Sequence, residues 1–201
     1  MERPADLTSI DAIASALEPV TPALGRLSSP DGALTLMLSD IAGAGALESE
    51  LGAERWEQLL RDHHMLVERV LALHDGQVVR FERDGFLATF NSAHGALHAA
   101  IELQRTFSAA DGDRDVTLRI GLHSGFVIAR PEELLGRNVV LAARIAAQAQ
   151  GGEILVSGAL KQYTETDPRF AFESRGEHHF KGLVGEYPVY LVRWRSPGAR
   201  A

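Results

Sequence analysis

The sequence predicts an α+β domain, a ferredoxin-like βαββαβ core carrying additional C-terminal strands. Three observations lead there. Residues 34–41 read Leu-Thr-Leu-Met-Leu-Ser-Asp-Ile, a short apolar run of strand length that ends in an aspartate and passes through small residues into a helical pattern. Residues 77–90 place two runs rich in β-branched and aromatic side chains around Asp84-Gly85, and Asp-Gly is among the strongest short hairpin signals. The order strand, helix, strand, strand, helix, strand then follows the split βαβ arrangement.

Composition bounds the rest. At 201 residues, the chain is long enough for one well-cored domain with an extension, drawn here as residues 1–30 (extension), 31–196 (domain) and 197–201 (tail). A formal net charge of -7 argues against a polyanion-binding surface, so nucleic acid is not an expected partner. The absence of cysteine excludes disulfides, thiol catalysis and cysteine-ligated zinc. No apolar run approaches the roughly 18 residues of a membrane span. The first residues, Met-Glu-Arg-Pro-Ala-Asp, lack the basic start and apolar centre of a signal peptide, so a cytoplasmic protein is expected.

Taken in order, residues 7–17 form a short amphipathic pattern with Ile10, Ile13, Ala14 and Leu17 on one face, broken afterwards by Pro19, Pro22 and Pro30. After the first strand, residues 44–51 and 54–73 read as helices. In the second, Trp56, Leu59, Leu60, His63, Leu66, Val67, Val70 and Leu71 recur at three- and four-residue spacing. His63 and His64 do not form a metal pair, because neighbours on a helix point about 100° apart. His74-Asp75-Gly76 ends that helix and leads into the hairpin. Ser92 caps a helix over 92–107 that carries Leu97, Ile101 and Leu103, and Asp111-Gly112-Asp113 is a loop. A strand or bent pair follows over 116–128. An alanine-rich helix spans 138–150 and stops at Gly151-Gly152. Residues 153–156 form a strand and 158–163 a helical turn or two, and strands over 169–173, 176–181 and 187–192 close the sheet.

The chemistry begins with two carboxylates. Asp40 at a strand end and Asp84 at a hairpin tip are hard oxygen donors of the kind that hold Mg²⁺, and two-metal phosphoryl chemistry needs such a clamp. The chain resembles the class III adenylyl and guanylyl cyclases over residues 33–194. The resemblance rests on Leu38-Ser39-Asp40-Ile41-Ala42-Gly43, Asp84-Gly85-Phe86-Leu87-Ala88-Thr89-Phe90, Arg119-Ile120-Gly121-Leu122-His123-Ser124-Gly125, Ala142-Ala143-Arg144-Ile145 and Phe180-Lys181-Gly182, in that order.

The resemblance implies the class III nucleotidyl cyclase fold over residues 31–196. It implies a homodimer in which the metal aspartates of one protomer face the nucleotide-reading residues of another. It places two Mg²⁺ or Mn²⁺ ions on Asp40 and Asp84, and ATP as the substrate cyclised to cyclic AMP and pyrophosphate. Arg144 falls where the family stabilises charge on the transferring phosphoryl, and Lys181 where it binds the triphosphate. Four residues before Asp84, Arg80 replaces the adenine-reading lysine, and Glu133 stands for its acidic partner. Arginine presents a planar fork instead of a point charge, so base recognition is altered.

Two departures go further. Val140 occupies the position of the ribose-orienting asparagine and cannot hydrogen-bond through its side chain. Arg83 replaces a glycine before the second metal aspartate, where it is expected to pair with Asp84 and compete with metal. Two function classes follow: a cyclase with altered or slow turnover, or a catalytically inactive cyclase-like domain that binds nucleotide or a protein partner. An RNA-binding sheet of similar topology is poorly supported by the acidic balance and the lack of a recognition motif.

Overall fold

The computed structural model describes residues 9–15, 33–109, 116–126 and 131–195. Its organising strand is β1 (Ala33–Ile41), which pairs antiparallel with β3 (Gly85–Phe90) on one side and β4 (Leu118–Phe126) on the other. Between β1 and β2 (Gly76–Glu82) lie α2 (Ala44–Leu51) and α3 (Ala53–Leu73), and α4 (Ala93–Ala109) joins β3 to β4. The sheet order β2-β3-β1-β4 is that of a ferredoxin-like core. Beyond it, α5 (Pro131–Ala146) carries the chain to β5 (Ile154–Ser157), parallel to β4, and α6 (Gly158–Thr164) leads to the last pair, β6 (Phe172–His178) and β7 (Tyr187–Val192). The full order is β2-β3-β1-β4-β5-β7-β6.

β1 is apolar along nearly its whole length because both of its faces are covered. Met37 and Ile41 point into a core built with Val67, Val70 and Leu71 of α3 and Leu97, Ala100 and Leu103 of α4. Leu34, Leu36 and Leu38 point the other way, against Leu87 and against Val139, Ala142, Ala143 and Ala146 of α5. The alternation is the two-residue period of a strand.

The second face carries one more element. Helix α1 (Ser9–Ser15) lies on it, with Ile10 and Ile13 at 0% and 1% exposure. Burying two isoleucines contributes on the order of 3–6 kcal/mol.

Three expectations are corrected. The strands expected at 169–173 and 176–181 are one strand, β6, whose pairing with β7 shifts between Ser174 and Glu177. Gly176, at φ +85°, reads as a break in sequence but is accommodated inside that irregularity. Helix α5 starts at Pro131, one and a half to two turns before the alanine-rich stretch, so Glu133 lies on it. The strand expected from 116 begins at Leu118 and is described to Phe126, with 127–128 outside the described residues. The helical pattern at 7–17 is seen as Ser9–Ser15, while Leu17, the three prolines, the Asp111-Gly112-Asp113 loop and the 197–201 tail lie outside the described residues.

Candidate active site

Asp40 and Asp84 are brought together by the sheet. Asp40 is the penultimate residue of β1, and Asp84 sits in the two-residue loop joining β2 to β3, where Glu82 pairs with Gly85. Because β3 pairs with β1, the hairpin tip ends beside the end of β1. Both carboxylates are buried, at 1% and 6% exposure, and both line one cleft of about 470 Å³. Its wall includes Gly43, Ala44, Gly45 and Ala46, the small residues that open α2. Gly43 caps that helix from a left-handed conformation (φ +70°) without a side-chain hydrogen bond; the Ala46 N–H donates to its carbonyl, and no side chain among the described residues caps the N–H groups of Ala44 and Gly45.

Each carboxylate has a partner that residue order did not reveal. Arg119 stands opposite Asp40 in the β1–β4 ladder. Its Nε donates to Asp40 Oδ1 at 2.8 Å and its Nη2 donates to Oδ2, the parallel fork of a bidentate pair. Asp84 Oδ1 accepts a hydrogen bond from the Ser9 hydroxyl of α1. Arg119 belongs to a stretch that carried the family resemblance, but its tie to Asp40 depends on strand register and was not legible. Ser9 carried no signal in the sequence.

Arg83 behaves differently from expectation. It is exposed and reaches Glu48 of α2 at 3.7 Å, and the cation paired with one of the two cleft aspartates is Arg119, on Asp40. The reason is conformational: Arg83 has φ +53°, the left-handed region that suits a glycine, and the loop aims its side chain toward α2. The same hairpin tip is held from α3, where His64 Nε2 donates to the Arg83 carbonyl at 3.1 Å and its ring stacks on Phe81.

The remaining site residues stand apart from this cleft. On α5, Val139, Ala142 and Ala143 face the sheet, while Leu141 and Ile145 pack with Phe180, Leu155 and Val189 in a separate cluster. Val140 and Arg144, one turn apart and half-buried, share the stripe between those faces. Phe180 seats the turn that exposes Lys181 beside the same helix, and Arg137 of α5 donates to the Tyr187 hydroxyl at 2.9 Å. Arg80 lies on β2 and donates to Glu82 at 2.6 and 3.1 Å. Neither Arg80, Val140, Arg144 nor Lys181 lines the cleft of Asp40 and Asp84.

Two buried histidines brace these halves. His63 of α3, packed near Phe86 and Phe107, has no hydrogen-bond partner for either ring nitrogen among the described residues, and burial pushes its pKa down to about 3. His123 of β4 donates from Nε2 to Asn138 of α5 at 3.2 Å and accepts at Nδ1 from Ser157 at 2.9 Å. Burial lowers it to about 4, with the Asn138 bond pulling weakly the other way.

The sheet order and paired helices define an α+β nucleotidyl cyclase fold. It superposes on an adenylate cyclase structure from Trypanosoma brucei, described as monomeric, with a TM-score of 0.72 at 20% identity, covering 86% of this chain and 94% of that one. The family model for the adenylate and guanylate cyclase catalytic domain matches residues 28–193, and the chain belongs to that family. A Mycobacterium tuberculosis (strain ATCC 25618 / H37Rv) protein with no functional name is 33% identical over 175 residues, 85% of this chain and 59% of its own length. A Rhizobium meliloti (strain 1021) protein, provisionally named as an adenylate cyclase, is 32% identical over 151 residues, 73% of this chain and 24% of its own. The chain thus spans between a quarter and three-fifths of the length of these relatives. Among the described residues, no helix is long and apolar enough to cross a membrane.

Proposed function

We propose that this domain is a homodimeric, cytoplasmic nucleotidyl cyclase that converts ATP to cyclic AMP and pyrophosphate, with altered base recognition and slow turnover. The observation that carries the reading is the division of the site. One protomer gathers Asp40 and Asp84 in a cleft that its own Val140, Arg144 and Lys181 do not line. A second copy turned about a two-fold axis would bring the second set over the first, giving two equivalent sites.

The donor set suits Mg²⁺ or Mn²⁺. No group of three histidines or carboxylates converges among the described residues, so the protein offers two carboxylates and the nucleotide's phosphate oxygens would complete the shell, as Mg²⁺ sites commonly do. When bound, two such ions supply the charge that activates the ribose 3′-hydroxyl and holds the triphosphate. In the reaction the 3′ oxygen bonds to the α-phosphorus, the bond from that phosphorus to the β-phosphate bridge breaks, and the hydroxyl proton is released. Asp40 and Asp84 would hold the ions, and the open first turn of α2 would receive phosphate oxygens. Arg144 and Lys181 of the partner protomer would balance the charge on the transferring group. Arg80 and Glu133 would read the base, and Arg80 has to leave Glu82 to do so. Val140 leaves the ribose without a positioning bond, which costs roughly 10²-fold in rate.

The test is purified protein with each nucleoside triphosphate and Mn²⁺, the product identified by mass, and sedimentation at micromolar concentration with and without nucleotide. Cyclic AMP and a dimer are expected. Nucleotide binding without any cyclic product would move the domain to the inactive, nucleotide- or partner-binding reading, which Val140 favours. A strictly monomeric species under every condition would overturn the two-protomer site.

A further inference from the structure

We propose that α1 is a built-in cap on the site: its Ser9 hydroxyl occupies the Asp84 carboxylate, and α1 must be displaced before that carboxylate takes up a metal ion. This rests on the reading of Asp40 and Asp84 as the metal clamp.

Three observations meet here. Ser9 opens α1, is 5% exposed, and lines the same cleft as both aspartates. Its hydroxyl donates to Asp84 Oδ1, an acceptor oxygen that a cation would otherwise use. The hairpin is shaped to admit it: a Cβ on Gly85 would lie 2.8 Å from the Ser9 Cβ and 2.9 Å from the Ser39 carbonyl oxygen, so Gly85 leaves the room that Ser9 fills.

The rest of α1 is an anchor. Ile10 and Ile13 join one cluster with Leu34, Leu36, Leu38 and Leu87, on the sheet face that also bears Asp40 and its partner Arg119, and with Val139, Ala142, Ala143 and Ala146 of α5. The anchor is two large side chains on a seven-residue helix. A ligand that binds only the uncapped form is weakened in proportion to the capped population, and it must in turn loosen the cap.

Three full-length proteins test this: the natural sequence, Ser9→Ala, and Ile10→Asp/Ile13→Asp. Their affinity for Mn²⁺ is read directly from the loss of the free-ion electron paramagnetic resonance signal. A hydrogen bond to a charged acceptor is strong enough that Ser9→Ala should tighten Mn²⁺ binding about tenfold. The double variant, with circular dichroism confirming the fold, should tighten it at least as much. Hydrogen exchange at residues 9–15 of the natural protein should rise when Mn²⁺ and a non-cyclisable ATP analogue are added.

Equal Mn²⁺ affinity in all three proteins would overturn the cap and leave the metal site standing. Weaker binding in Ser9→Ala, or slower exchange at 9–15 on loading, would overturn it by making Ser9 part of the loaded site. No Mn²⁺ binding by any of the three would remove the metal reading itself and the cap with it. Tighter binding without cyclic product would sustain the cap and count against the cyclase reading alone.

Discussion

The two halves of the proposed site are built by different means. The carboxylate half is made of sheet: Asp40 is buried in the central strand and forked to Arg119 on the neighbouring strand, and Asp84 is set by a two-residue hairpin loop. The other half is made of helix and turn: Val140 and Arg144 ride on α5, and Lys181 on an exposed turn seated by Phe180. The sheet half keeps the two carboxylates of the resemblance but departs from it at Arg80 and Arg83, and the helical half departs at Val140. Each half also has its own brace, His63 beneath the hairpin and His123 tied to α5.

The largest expected effect separates the two aspartates. Asp40→Ala and Asp84→Ala should each lower cyclase turnover by at least about 10³-fold, since each removes half of the proposed metal clamp. Their stabilities should diverge. Asp40→Ala leaves Arg119 without its forked partner at a mostly buried position and should cost about 3 kcal/mol in urea unfolding. Asp84→Ala loses one bond from Ser9 and should cost about 1 kcal/mol. Equal losses would mean the sheet does not hold Asp40 more tightly than the hairpin holds Asp84.

Val140→Asn sharpens the comparison from the other half. It should raise kcat by about 10- to 100-fold and change KM less, because a ribose-positioning bond acts most in the transition state. A gain confined to KM would assign the position to ground-state binding.

Acid should weaken both halves together. His63 and His123 are held below the ordinary histidine value of 6.5, at about 3 and about 4, so the unfolded chain takes up protons that the native protein refuses. Their contribution is therefore complete above pH 6.5 and is lost as pH falls from there toward those values, at up to about 1.4 kcal/mol per pH unit per histidine. Unfolding midpoints between pH 7 and pH 5 measure it. His63→Leu, which also removes a ring with unsatisfied nitrogens, should flatten that slope by about half; an unchanged slope would mean His63 is protonated in the native state.

The smallest effect is expected at Arg83. Arg83→Gly relieves a left-handed backbone at a non-glycine residue and should add about 1 kcal/mol of stability without altering base preference. Since Arg83 reaches Glu48 and not Asp84, Mn²⁺ affinity should move by less than about twofold, as an exposed ion pair of this length contributes little. A large gain in metal affinity would restore Arg83 as a competitor for Asp84.

What the amino-acid order determined by itself was local. The apolar run of β1, the apolar stripe of α3, the Asp-Gly hairpin and the Ser92 cap each lie within one element, where local pattern is enough to recognise it, and motif order sufficed to identify the cyclase catalytic-domain family. Spacing erred where a strand tolerated an irregularity, as at Gly176, and where helix α5 began in residues of weak pattern, at Pro131. Only the tertiary structure decided which partners the carboxylates keep. Asp40 and Arg119 are 79 residues apart, and Ser9 and Asp84 are 75 apart. Contacts at such separations follow from strand register and from how a helix docks on a finished sheet. Neither is set until the whole sheet has formed, and so neither could be read from any one stretch of the chain.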